Sequence, residues 1–320
     1  MLNILVSYAF MSDNVIRLVQ SSQGFVRWTL DSGAFSAFNA GKVIELSKYI
    51  AFCQEHGHLF DHYVALDVVG NAKDSKSNLD KMVSAGLTPM AVLTSYDHLS
   101  EAKELSQAGN ALCIAGGTMM PMDKYSTRIA NVRDVVGEDV WLHGLGFGRG
   151  MKVASTRING VDASSWEEGL RWGSFGYFVP AVGVKSQSWS EIVKTPWQKL
   201  NPAVRNSLVS LGLKRKHMQN KDSLNRGAVS LIGIHSAYAW LKFASALEKR
   251  GVRFNFAVPG YNQVLMNLVI AAKHAHKHGI SWDSCLPDQQ VANEIFRDPR
   301  RLVSDLVRAS QNNEKVFNII

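Results

Sequence analysis

The sequence predicts an α/β fold: a parallel (β/α)₈ TIM barrel carrying a mostly helical C-terminal extension. Three observations predict it. Short apolar runs alternate with amphipathic segments through the first 180 residues. The runs number eight. Several are rich in Val, Ile, Leu and aromatic residues without strict alternation, as in strands buried on both faces. The boundaries expected are 1–200 for the barrel and 201–320 for the extension packed on it. A doubly wound open sheet is the alternative architecture for the same alternation.

The strand runs, in order, are NILVSYA (3–9), FVRWTL (25–30), HYVALDVV (62–69) and PMAVLTSY (89–96). ALCIAGG (111–117), VWLHGLG (140–146), INGVD (158–162) and GYFVPAV (176–182) complete the eight. Helical patterns separate them. Residues 43–57 place apolar side chains at Ile44, Ile50, Ala51 and Phe52 and stop at Gly57. Residues 74–86 begin at an N-cap candidate and end in Gly86, and 97–109 and 123–137 follow the same plan. Beyond about residue 200 the pattern turns helical. Residues 229–251 are apolar almost all round, which requires burial, and 261–279 form a second such segment.

Composition narrows the class. The 320 residues suffice for a large core. No stretch reaches the ~18 apolar residues of a membrane span, and MLNILVSYAF lacks the basic leader of a signal peptide. Cys53, Cys113 and Cys285 are too far apart in sequence for a CxxC metal pair or a disulfide framework. The expectation is a soluble, cytoplasmic chain. A net charge of +8 is compatible with a polyanionic partner but does not establish one. The densest basic run, 213–221, reads equally as a solvated loop.

In a barrel, functional side chains gather where strands end. The second strand ends in Asp31, the third carries Asp67, and the seventh ends in Asp162. Glycine turns, Gly116-Gly117 and the HGLGFGRG stretch from His143 to Gly150, follow the fifth and sixth. Each Asp has a plainer reading as the N-cap of the next helix, and Asp162 before Glu167 and Glu168 fits a cap well. His143 reads equally as a satisfied core histidine. Three carboxylates on one rim suit Mg²⁺, but no phosphate-binding loop accompanies them. They also suit substitution at an anomeric carbon: one carboxylate attacks C1′, another protonates the leaving group. A third can accept from the N1–H and 2-NH₂ edge of a guanine.

LDSGAF (30–35), ALDVVG (65–70), AGG (115–117), LHGLGFG (142–148) and GVDASSW (160–166) stand in an order that resembles the tRNA-guanine transglycosylase superfamily. The forms DSGAFSAF and VDASSW look most like its DNA-acting branch, the deazapurine DNA modification transglycosylases of bacteriophages. The likeness covers residues 1–182. It implies a (β/α)₈ barrel, no cofactor, and exchange of guanine in DNA for a 7-deazaguanine base such as preQ0, in the cytoplasm of a phage-infected host. By this resemblance Asp162 is the covalent nucleophile and Asp31 the general acid/base. Asp67 reads the guanine edge, Gly116 and Gly117 donate to the purine O6, and Phe35 stacks on the base beside the small Ser32 step. His143 and Gly144 match the opposite wall, where tRNA enzymes often place Met.

Two departures from the tRNA enzymes stand out. Only Asp162 is kept where they carry two aspartates three residues apart; a slipped register puts Ser165 at the nucleophile position. Their zinc motif is absent, and His274, His278 and Cys285 are short of ligands for a closed metal site. The expected partners are double-stranded DNA, with a guanine flipped out, and a small 7-deazaguanine base, with no metal and no membrane. Arg149, Lys152 and Arg157, with Lys185, Lys194 and Lys199 further on, are candidate phosphate contacts. A tRNA substrate and a non-catalytic nucleic-acid-binding subunit are the alternative functions.

Overall fold

The computed structural model describes residues 1–94, 99–109, 111–115, 121–147, 150–167, 174–210, 239–258 and eight isolated positions between 236 and 279. The chain separates into two compact units. The first comprises Met1–Gly148, Lys152–Ser164 and Leu247–Leu265; the second comprises Arg149–Met151, Ser165–Ala246 and Met266–Ile320.

The first unit is mixed α/β around an eight-stranded parallel sheet. Its strands are β1 (Leu2–Ser7), β2 (Val26–Asp31), β3 (His62–Tyr63), β4 (Ala91–Leu93), β5 (Ala111–Ile114), β6 (Trp141–Gly144), β7 (Gly160–Ala163) and β10 (Arg253–Val258). Their spatial order is β3-β2-β1-β10-β7-β6-β5-β4. β1 is buried along its whole length, which explains its unbroken apolar run. It pairs with β2 from Leu2↔Val26 through to Ser7↔Asp31.

The sheet curls, as in a TIM-like fold. Its two end strands meet at a parallel bridge, Val64↔Met90, where Met90 N–H donates to Tyr63 O at 2.8 Å and Ala65 N–H to Met90 O at 2.9 Å. Side chains from strands that are not neighbours also touch. His62 of β3 stacks on Trp141 of β6 at 5.3 Å between ring centroids. The guanidinium of Arg253, on β10, lies 4.5 Å from the centre of a Trp141 ring and pairs with Asp61 at 3.3 Å. Such a cation–π contact is favourable when partly desolvated.

Helices α1 (Asp13–Ser21), α2 (Ala34–Asn39), α3 (Leu46–His56), α4 (Ala72–Ser84), α5 (Glu101–Ser106) and α6 (Met122–Val136) fill the connections. α1 buries Val15, Leu18 and Val19 on one stripe and carries Asp13 in its first turn, where the helix dipole favours a carboxylate. α4 starts earlier than predicted. Its cap is Asn71, whose side chain accepts from Asp74 N–H. α6 ends at Gly137, which takes φ +84°. Among the described residues between β6 and β7, the helical segment is a 3₁₀ turn, Met151–Ser155.

One predicted strand is corrected. Residues 176–182 do not supply the eighth parallel strand. They belong largely to β8 (Ser174–Val179), which turns back and pairs antiparallel with β9 (Gly183–Ser188) in the second unit. Gly183, at φ +114°, opens the returning strand. The eighth parallel strand is β10, from a region predicted to be helical. Its sequence, RFNFAV, alternates: Phe254 and Phe256 are buried and pack edge to face at 5.0 Å, while Arg253, Asn255 and Ala257 leave the opposite face.

In the second unit, Phe175, Tyr177, Ile192, Leu200, Val204 and Leu208 form a core. It gathers the hairpin and the helices Trp189–Lys194 and Pro202–Ser210. Residues 239–246 of this unit are helical and bury Trp240, Leu241, Phe243 and Ala244, as the apolar run there predicts. The basic run 213–221 lies outside the described residues.

Arg133 fastens α6 to the sheet. Buried, it donates to the carbonyls of Gly137, Val140 (2.8 Å) and Arg157 (3.0 Å) and to Asn159 Oδ1. Replacing it with Met takes this donor from three backbone carbonyls, while Asn159 Oδ1 keeps its bond from Leu142 N–H. Arg133→Met is expected to cost about 3 kcal/mol, read as an earlier midpoint in urea unfolding. An unchanged midpoint would show that these acceptors find other partners.

Candidate active site

Asp31 closes β2, opposite Ser7 at the end of β1. The chain then turns within Ser32-Gly33, and α2 begins at once. Gly33 takes φ +80°, and a Cβ there would lie 2.7 Å from Ala9 backbone and from Ser7 Oγ. Only glycine fits. The turn aims Gly33 N–H at Asp31 Oδ2, at 2.9 Å. Ser32 is buried; its hydroxyl accepts from Ala34 N–H and donates to Asp67 Oδ1 at 3.4 Å. Asp67 sits in the irregular segment after β3. The Asp31 turn and the Asp67 segment are therefore tied together.

Asp162 lies within β7 and is buried. Its Oδ1 accepts two bonds, from His143 Nε2 at 3.0 Å and from Gly146 N–H at 3.1 Å. Oδ2 has no hydrogen-bond partner among the described residues. A carboxylate oxygen accepts this bond from His143 when the imidazole proton is on Nε2. Gly160 makes this possible, since a Cβ there would stand 2.9 Å from His143 Nδ1 and 3.3 Å from Trp141. Gly146, at φ +64°, provides the second donor. The glycine turn after β6 thus holds a carboxylate of the protein itself. Asp162 is not the cap of a following helix.

The three carboxylates act on one another. Burial raises Asp31, and the charges of Asp67 and Asp162 raise it further, to about 7; Gly33 N–H and the nearby Ser7 pull the other way. Ser7 stands beside Asp31 without a hydrogen bond of normal geometry. Asp31 is half-buried by exposure yet lies deep among protein atoms. Asp67 is raised by burial, opposed by its own backbone N–H and by Ser32. Cys113, on β5, is pushed far up by burial and by the same three carboxylates. The charges of Asp31, Asp67 and Asp162 thus all reach Cys113, and those of Asp67 and Asp162 reach Asp31.

The other predicted residues are distributed as follows. Phe35 is 46% exposed in the first turn of α2. Gly144 is a packing glycine: a Cβ would stand 3.0 Å from Ile158. His143 is buried, and its Nε2 meets Asp162. Lys152 is exposed and pairs with Asp123 at 2.7 Å. Arg157 pairs with Asp134 and, at 2.9 Å, with Glu138. In the second unit Lys185, Lys194 and Lys199 are exposed. Gly116, Gly117 and Arg149 lie outside the described residues, as do His274, His278 and Cys285.

Among the described residues no group of three His, Cys, Asp or Glu is arranged to hold a metal, and no helix is long and apolar enough to cross a membrane. Sequence reasoning missed Gly146 and Gly160 as supports of Asp162. It also missed Asn255, on β10 directly opposite Asp162. The alternation in RFNFAV was the available signal for that strand. No family model matches the chain, and no curated protein matches it.

The raised Asp31 has a consequence for stability. An unfolded chain releases this proton near pH 3.8, whereas the folded chain keeps it to about 7. Stability therefore falls as pH rises across that window. Asp31→Asn is expected to melt at a higher temperature than the parent at pH 8, with the gain vanishing by pH 4. An equal gain at both pH values would contradict the charge effect.

Proposed function

We propose that the chain is a DNA-guanine transglycosylase. Its curled sheet is read as a (β/α)₈ barrel with the three carboxylates at the C-terminal rim. The observation that carries the reading is the contrast between two carboxylates. Asp162 has one oxygen anchored by two donors and the other without a partner among the described residues, as a nucleophile requires. Asp31 is held near neutrality, where a single group can both give and take a proton. The order of motifs around them supplies guanine and deazaguanine as the bases. The exposed ring of Phe35 suits stacking on a base.

The steps follow. A guanine flips out of the duplex. Asp162 Oδ2 attacks C1′, the C1′–N9 bond breaks, and protonated Asp31 delivers its proton to the departing base. The sugar is now esterified to Asp162, and Asp31 is ionised. A 7-deazaguanine enters with its N1–H and 2-NH₂ edge toward Asp67. Asp31 takes the N9 proton as N9 attacks C1′, and the bond to Asp162 breaks. Two inversions give net retention, and Asp31 returns to its starting state.

His143 and Gly146 serve both half-reactions. Their hydrogen bonds stabilise the charge that Asp162 carries before attack and regains on leaving. Neither donor needs to move.

Incorporation of labelled guanine, offered with duplex DNA and with tRNA in parallel, tests the reading. The parent is expected to label DNA, and Asp162→Asn to reduce labelling to background while folding normally. Asp67→Ala is expected mainly to raise KM for the free base. Labelling of tRNA alone would move the substrate class. Exchange by Asp162→Asn would remove the nucleophile assignment.

A further inference from the structure

Asp31 and Asp162 stand on β2 and β7, and the strands between them in the sheet are β1 and β10. Among the described residues, three buried side-chain atoms on these two strands lack a proper hydrogen bond: Asn3 Oδ1, Ser7 Oγ and Asn255 Oδ1. Asn255 is the most deeply buried of the three residues, at 2% exposure. It is the register partner of Asp162 on the adjacent parallel strand, so the two side chains leave the same face of the sheet. One step back from the Ile4↔Phe256 pair, Asn3 stands next to Asn255 on that face.

The orientation of the Asn255 amide is settled by its partner. Val161 O, 3.2 Å away, can only accept, so Nδ2 must face it. That carbonyl belongs to the peptide that joins Val161 to Asp162. The atom left without a partner is therefore the acceptor Oδ1. A buried, unpaired amide oxygen destabilises a fold, whereas a leucine of similar size would pack there without that cost. The bond of Asn255 to the peptide of Asp162, from the neighbouring strand, gives this polar side chain a role.

We infer that Asn255 is a positioning residue for Asp162, its amide fixing the peptide on which the carboxylate is built. The inference rests on the base-exchange reading. With His143 on β6 and Asn255 on β10, Asp162 is steadied from both neighbouring strands. The groups facing the cluster are Asp31 and Asp67, with Ser7, Cys113 and His143.

Two measurements test it. The first is the rate of covalent adduct formation between protein and guanine-containing DNA or tRNA, by rapid quench and mass spectrometry. Asn255→Leu is expected to slow it roughly 10- to 100-fold, with a melting temperature no lower than the parent's and a KM for the nucleic acid little changed. An unchanged rate would overturn the inference. The second needs no reaction: a ¹³C carboxyl NMR titration of Asn255→Asp. A fourth carboxylate in the cluster is expected to raise the Asp31 midpoint by about one pH unit; an unmoved midpoint would place Asn255 outside the site. If the parent itself forms no adduct with either nucleic acid, the base-exchange reading fails, and the titration alone decides whether Asn255 belongs to the carboxylate site.

Discussion

Three carboxylates held around one partly desolvated space are the constraint on which the rest of this structure depends. Burial and like charge both oppose their ionisation. The chain answers each differently. Asp162 receives two hydrogen bonds on one oxygen. Asp67 is reached by the Ser32 hydroxyl. Asp31 has one good donor, Gly33 N–H, and so holds its proton to about 7. The environments of Asp31 and Asp162, two chemically identical groups, are thereby made unequal.

The glycines around the site follow from that constraint. Gly33 lets the chain pass close to Ala9 and Ser7 while pointing its N–H at Asp31. Gly160 leaves the volume that the His143 ring occupies, and Gly146 turns its own N–H onto Asp162. A methyl group at residue 33 or 160 would meet atoms at under 3 Å. Both glycines thus serve the carboxylates through the space they leave open. The far end of the same sheet face is held by unlike means, the stacking of His62 on Trp141 and the packing of Arg253 against it.

Much of this was legible in the sequence, for reasons that can be stated. Seven of the strands announce themselves because burial on both faces demands continuous apolar runs. The carboxylates at strand ends are legible because a charge at the end of such a run needs a purpose. The eighth strand was not. RFNFAV is short and alternating, and it follows a long apolar helical pattern that dominates the local periodicity. GYFVPAV looks like a buried parallel strand, but the chain reverses at Gly183, and no local feature tells a hairpin strand from a crossover one. The work of His143 was also hidden. It depends on a contact between two strands and on an absent side chain at residue 160, neither of which leaves a mark at residue 143. Asn255 went unnoticed with its strand.

The central claim is that Asp31 shares one space with Asp67 and Asp162 and titrates near neutrality as a result. The most direct measurement is a ¹³C carboxyl NMR titration of the unmodified protein, with Asp31 assigned by its loss in Asp31→Asn. The account predicts a midpoint near 7 that falls when Asp67 or Asp162 is replaced by Asn. A midpoint near 3.8, or one indifferent to both neighbours, would contradict it.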